Sequence, residues 1–308
     1  MNIGLVVMML LRSPTLKMQL IFFLLRCRVN WMVFGFCIVV TLFSDFMMGL
    51  RLSLRAHFSV LLAVGVVLLI VAVLMAAQFS GRQPATVGLD VGFSVIRLVL
   101  PLVVVLGAQE LFSREFDRRY FLLTLSYPRR RSSFIIGRFS VLFFIVFVQL
   151  LVMCFVLVFL VREIGSQYEQ AAPPNTGLKF VGVFLFYSCE AFLLASLATL
   201  LAVVASTPGF VLIGVFGFVF IARSYSAVLA LLAQNAYVID DAQGYKSGLG
   251  VLGYLLPDLG RLDIRMVALY DKIDFLPDDS FFLIVSVLAY SLALLAISVF
   301  VLQRKRFS

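Results

Sequence analysis

Six stretches of this chain, residues 57–79, 89–111, 140–161, 180–205, 210–233 and 281–302, are each predominantly apolar over about 20 residues, the length a helix needs to cross the hydrocarbon core of a bilayer. Lipid offers peptide groups no hydrogen-bond partner, and a helix satisfies its own. Composition closes the soluble alternative. With 63% hydrophobic residues, 13% charged residues and a mean hydropathy of +1.10 over 308 positions, a water-soluble globule would expose far too much apolar surface. The expected class is an all-α integral membrane protein.

Lysine and arginine set its orientation. Arg51 and Arg55 precede the first span, an arginine-rich connection follows the second, and Arg304, Lys305 and Arg306 follow the sixth. An even number of crossings puts all three on one side, which the positive-inside bias makes the cytoplasm. The long connection at about residues 234–280 carries eight aspartates, among them Asp258, Asp263 and Asp271, against Lys246, Arg261, Arg265 and Lys272, which fits the outer face. The same bias accounts for the net charge of +9, because the basic residues lie beside apolar spans, so nucleic acid is not an expected partner.

Cys27, Cys37, Cys154 and Cys189 sit in or beside apolar segments with no C-x-x-C spacing, so no disulfide framework is expected. His57 is the single histidine, which removes the H-E-x-x-H zinc site and imidazole clusters generally; no metal site is expected. Residues 1–50 form a hydrophobic N-terminal extension interrupted by Arg12, Pro14, Lys17 and Asp45. It admits three readings: an extra span, an interfacial segment, or a start-site artefact upstream of Met47 or Met48. The remainder, 51–308, reads as one six-span domain.

Within the arginine-rich connection, Phe112, Phe116, Tyr120, Leu123 and Tyr127 recur three or four residues apart and predict one apolar helix face over about 112–127. Glu115 stands at helical pairing distance from Arg118 and Arg119. Pro128 stops the helix, and Arg129, Arg130 and Arg131 face lipid headgroups or an acidic protein surface. Read from periodicity alone, this connection is equally a solvated loop whose arginines fix topology.

The order of its residues is more specific. Glu110 and Glu115, then Arg118-Arg119-Tyr120-Phe121-Leu122-Leu123-Thr124-Leu125-Ser126-Tyr127-Pro128-Arg129, then Gly137-Arg138, resembles the permease subunits of type-2 ABC exporters. The resemblance extends to six spans with both ends cytoplasmic and to Leu255-Leu256-Pro257-Asp258-Leu259 before the last span. It covers residues 51–308 and implies a six-helix transmembrane domain that pairs with a second copy or paralogue and docks separate ABC ATPase subunits in a bacterial cytoplasmic (inner) membrane. It implies a coupling helix on which Glu110, Arg114, Glu115, Phe116, Arg118, Arg119, Tyr120, Leu123, Pro128 and Arg129 engage the ATPase. The chain contains no G-x-x-x-x-G-K-[ST], so ATP and Mg are expected on the partner and no cofactor on this chain.

Arg97, Glu190 and Arg223 fall inside predicted spans, where an unpaired charge costs about 2.5–3.5 kcal/mol. All three lie roughly nine to eleven residues from the outer end of their span, about 14–16 Å, so Glu190 is placed to pair with either arginine. Tyr187, Ser188, Ser224 and Tyr225 are candidates to complete the hydrogen bonds. The cluster reads either as a clamp on the bundle, which pairing alone explains, or as part of a translocation path. Pro101 is expected to kink the second span.

Gly248, Gly250 and Gly253 match G-x-G-x-x-G with Asp271 downstream, but no strand or β-α-β unit surrounds them, so a dinucleotide site is excluded. Residues 249–256 are expected to re-enter or line the interface, and 262–270 to form a short amphipathic helix over the exit. The leading function is an exporter permease, not an enzyme by itself. The alternatives are a polytopic scaffold, which shares the composition, and an intramembrane enzyme, for which a histidine or a pair of aspartates at suitable depth is wanting.

Overall fold

The computed structural model describes residues 58–113, 131–166, 174, 176–205, 207–234, 257–272, 274, 276–277 and 279–304, with side chains in the fifth helix described to Ser224. The expectations for residues 1–57, most of the arginine-rich connection (114–130) and 235–256 therefore lie outside the described residues. Within them the regular elements are helical and no strand occurs. They are α1 (Phe58–Phe79), α2 (Pro84–Ala108), α3 (Arg131–Ser166), α4 (Leu178–Val204), α5 (Pro208–Gln234), α6 (Arg265–Tyr270) and α7 (Ser280–Arg304). A π-helical turn, Gln109–Ser113, prolongs α2.

Five of these helices are long and apolar enough to cross a membrane: α1, α2 with its π turn, α3, α4 and α7. The described apolar part of α5, Pro208–Ser224, is shorter. The chain is a multi-pass, all-α membrane protein. Helix starts follow local chemistry. Pro84 opens α2 at a position where its missing N–H is no loss, and Gly81 takes the left-handed φ of 63° that turns the chain from α1 into α2.

Helix α4 is the central post, packed against α2, α3, α5, α6 and α7, with its broadest contact on α7. Small residues are buried along both partners, Ala191, Ala195, Ala198 and Ala202 on α4 and Ser291 and Ser298 on α7, which is how helices approach closely where lipid supplies no hydrophobic drive. The buried serine and threonine hydroxyls of α4 and α7 are satisfied within their own helices: Ser196 donates to the Leu193 carbonyl at 2.7 Å, Thr199 to Ala195 at 2.8 Å and Ser291 to Val287 at 2.7 Å. Between α3 and α4, Phe192 meets Phe139 and Phe143 edge-on at ring separations of 5.2 and 5.1 Å. Helix α1 covers the α2–α3 layer and turns most of its other face outward.

Two differences from the sequence reading concern the end of the bundle where α2 finishes and α3 begins. Helix α3 starts at Arg131 rather than near residue 140, so Arg138, expected to open the third span, is buried two turns inside the helix. Phe112, expected to begin the apolar face of the connection, is fully buried in the bundle core. Pro101 is accommodated inside α2 and buried.

Candidate functional site

One junction of the bundle is built where α2 ends. Its π turn carries the half-buried Glu110 and the buried Leu111 and Phe112. The Leu111 carbonyl accepts a hydrogen bond from Arg138 Nη1 at 3.3 Å, and the Arg138 guanidinium lies 5.3 Å over the Phe134 ring. Gln109 Nε2 donates to the Pro208 carbonyl at 2.9 Å, which ties the same turn to the first residue of α5. The connection 114–130 is thus mounted on a base shared by α2, α3 and α5. Of the residues expected to couple, Glu110 belongs to this base, while Arg114, Glu115, Phe116, Arg118, Arg119, Tyr120, Leu123, Pro128 and Arg129 lie outside the described residues.

Toward the opposite end of the bundle, the three charges carried by apolar helices meet. Arg223 Nη2 lies 2.6 Å from Glu190 Oε1, and its Nε donates to the same oxygen at 3.3 Å. Arg97 Nε is 3.5 Å from Glu190 Oε2, a charge contact too long for a strong hydrogen bond. Arg223 Nη2 also donates to the main-chain carbonyl of Arg97 at 3.2 Å, so the side chain from α5 grips both α4 and α2. Glu190 is fully buried, which makes this pairing obligatory, since a bare carboxylate in such surroundings would cost several kcal/mol, about 3–5 when one partner is removed.

The sequence reading missed the fourth member. Arg97 Nη1 is paired with Asp263 from the chain segment just before α6, and Arg97 Nη2 donates to the Leu259 carbonyl at 3.1 Å. Asp263 Oδ2 also faces Arg265 Nε at 3.4 Å. Arg265 Nη1 in turn reaches Asp90 Oδ1 at 3.0 Å and Ser94 Oγ at 2.9 Å. Arg97, Arg223 and Arg265 balance Glu190, Asp263 and Asp90 in one continuous array. The one signal for Asp263 was a lone aspartate between apolar neighbours, Leu262-Asp263-Ile264, both of which are buried.

The surrounding polar groups do not all act as expected. Ser188 donates to the Phe184 carbonyl of its own helix at 2.8 Å and Ser224 is exposed, so neither completes the array. The Tyr225 side chain lies outside the description. Tyr187 lies beneath Arg97, whose guanidinium sits 5.8 Å from the ring, and is held by an edge contact with Phe93 at 5.7 Å. The Tyr187 hydroxyl, Arg97 Nε and Glu190 Oε2 are all buried without a hydrogen-bond partner.

Helix α6 is docked on the same end of the bundle. Val267, Ala268 and Leu269 are buried, and the helix contacts α2 and α4. Asp258 Oδ1 accepts from the backbone of Gly260 at 3.0 Å and Arg261 at 3.3 Å, fixing the approach to Asp263. At the far end Lys179 Nζ pairs with Asp271 Oδ1 at 2.7 Å, and Asp271 turns the chain with a left-handed φ of 57°. No group of three or more His, Cys, Asp and Glu side chains arranged to hold a metal ion occurs among the described residues.

No family model matches this chain, and no curated protein is significantly similar to it.

Proposed function

We propose that this chain is the transmembrane permease subunit of an ATP-binding-cassette exporter in a bacterial cytoplasmic membrane. It pairs with a second copy or a paralogue and moves a substrate outward using ATPase subunits that carry the ATP and Mg. Both ends of residues 51–308 face the cytoplasm on this reading, as does the connection 114–130. The chain then acts as no enzyme by itself.

The observation that carries the reading is the pinned base of that connection. A force applied to 114–130 by a closing partner reaches α2 and α3 together, because Arg138 bolts α3 to the π turn of α2, and reaches α5 through Gln109. An amphipathic handle that merely fixed topology would need no such base. A rigid mount is what converts closure of an ATPase into rigid-body movement of several helices. The family-like order of residues 110–138, and a chain with no phosphate loop of its own, support the same reading.

The test is purification of the tagged chain from its native membrane. The expected result is an ATPase that co-purifies and hydrolyses ATP, and that is lost when Arg118→Glu and Tyr120→Ala are combined. A homogeneous preparation without any nucleotide-hydrolysing partner would sink the reading.

A further inference from the structure

We propose that α5 is a splint across a proline break in α2, fastened by Arg223 on one side of the break and by Gln109 on the other, and that opening either fastening lets α2 bend between Arg97 and Pro101. This conformational device goes beyond the export reading and stands or falls without an ATPase.

Pro101 lies inside α2 and is buried. It has no N–H to give to the carbonyl about one turn back, that of Arg97, and its ring crowds the same carbonyl. Lipid cannot supply the missing donor, so a neighbouring helix has to. Arg223 of α5 does so. Its Nη2 donates to the Arg97 carbonyl at 3.2 Å and to Glu190 Oε1 at 2.6 Å, one N–H for each acceptor. The first of these bonds concerns the main chain of α2 and not the balance of side-chain charge.

The second fastening lies beyond the break. Gln109 Nε2, on the π turn, donates to the carbonyl of Pro208, the first residue of α5, at 2.9 Å. Between the two fastenings α5 runs about 22 Å and α2 about 18 Å, at roughly 1.5 Å per residue, and Pro101 falls within that stretch. The half of α2 before the break carries Asp90, Ser94 and Arg97 of the charge array, and the half after it carries the π turn on which Arg138 is anchored. With both fastenings closed the two halves move as one body. With either open the break becomes a joint.

The packing also gives the joint a direction. A proline ring crowds its own side of a helix, so the axis tilts toward the opposite side. Val99 and Val103, two residues before and after Pro101, stand about 200° around the axis from it. Both line a cavity of about 10 Å³ between α2 and α3, with Gln149 and Met153 of α3 facing them. Gln149 is buried there, and neither its amide nitrogen nor its oxygen has a hydrogen-bond partner among the described residues. A cavity and an unmet amide both cost stability, so the α2–α3 contact is loosest on the side toward which the break tilts.

The experiment measures the bend itself. Nitroxide labels are placed at Val87, which is exposed, and Leu106, which is half-buried, in an otherwise cysteine-free full-length chain in nanodiscs. Their separation, about 28 Å along a straight helix, is read by double electron–electron resonance. The wild type should give one narrow distribution. Arg223→Met should widen it at least twofold, and Gln109→Leu, which leaves the charge array untouched, should widen it as well. Adding Pro101→Ala to either variant should restore the wild-type width, because an alanine N–H bonds the Arg97 carbonyl within α2 itself. A lost ion pair at Glu190 is not repaired by an N–H in α2, so this rescue separates the splint from general weakening of the bundle. If Arg223→Met does not yield folded protein, Gln109→Leu with and without Pro101→Ala decides alone. A wild-type width in either folded single variant, or a distribution that stays broad after Pro101→Ala is added, overturns the proposal.

Discussion

Arg138, buried within α3, donates to the Leu111 carbonyl at 3.3 Å, in the π turn that ends α2. The residues are far enough apart in sequence that the whole connection 114–130 lies between them, so this contact closes the loop at its base. A guanidinium suits the position because it is planar, always charged and has donors to spare after one bond is made.

Replacing Arg138 with Met should therefore do two things. The Leu111 carbonyl loses a charge-assisted donor, and stability should fall by about 1.5–3 kcal/mol, read as a lower midpoint of thermal unfolding in detergent. On the export reading, ATP hydrolysis by the complex with its ATPase should persist while its stimulation by transported compounds drops. Unchanged melting and unchanged stimulation would remove the junction from the mechanism.

Glu190→Gln leaves Arg97 and Arg223 facing each other with no buried carboxylate between them. The expected loss is about 3–5 kcal/mol, seen as low yield and a lowered unfolding midpoint. Adding Arg223→Gln should restore part of it, because the second change removes a buried cation that Glu190 had neutralised. A double-mutant cycle with purely additive losses would show that the two side chains do not interact.

Gly92 is where α2 meets Leu157 of α3. A Cβ there would stand 2.2 Å from Leu157 Cδ1 and 3.1 Å from its Cγ, and Leu157 is fully buried. Gly92→Ala should cost about 1–3 kcal/mol through overpacking. Gly182, in α4, has nothing within 4 Å of the same position, so Gly182→Ala should be neutral or stabilise by up to about 1 kcal/mol through helix propensity. The two unfolding midpoints, compared side by side, test the packing of α2 on α3.

Sidedness can be read directly. Arg261 is exposed on the segment before α6, so Arg261→Cys in a cysteine-free chain should label with a membrane-impermeant maleimide added to intact cells. A cysteine replacing Arg118 should label only after the cells are opened. The reverse pattern would invert the topology and with it the export reading.

The amino-acid sequence by itself determined where the helices run and what solvent they face. Apolar runs of the required length produce helices wherever they occur, since lipid enforces internal hydrogen bonding locally. Residues 57–79 and 281–302 needed no tertiary information to be placed within a residue or two of Phe58–Phe79 and Ser280–Arg304. The meeting of Arg97, Glu190 and Arg223 was legible for the same reason, because equal depth in a bilayer follows from counting residues along straight helices.

Tertiary structure decided what counting along a helix leaves open: rotation about the helix axis and contacts to the connecting segments. Asp263 lies 166 positions from Arg97, outside every span, and only the docking of the segment before α6 brings them together. Arg138 was read as opening the third span and Phe112 as starting the apolar face of the connection, because charge and periodicity put them at a membrane boundary. Both are buried: Arg138 because α3 begins more than two turns earlier than its apolar run, and Phe112 because the π turn that prolongs α2 keeps it in the core. A one-dimensional pattern fixes depth and amphipathic faces, whereas the partner a buried charge selects depends on which faces the helices turn to each other.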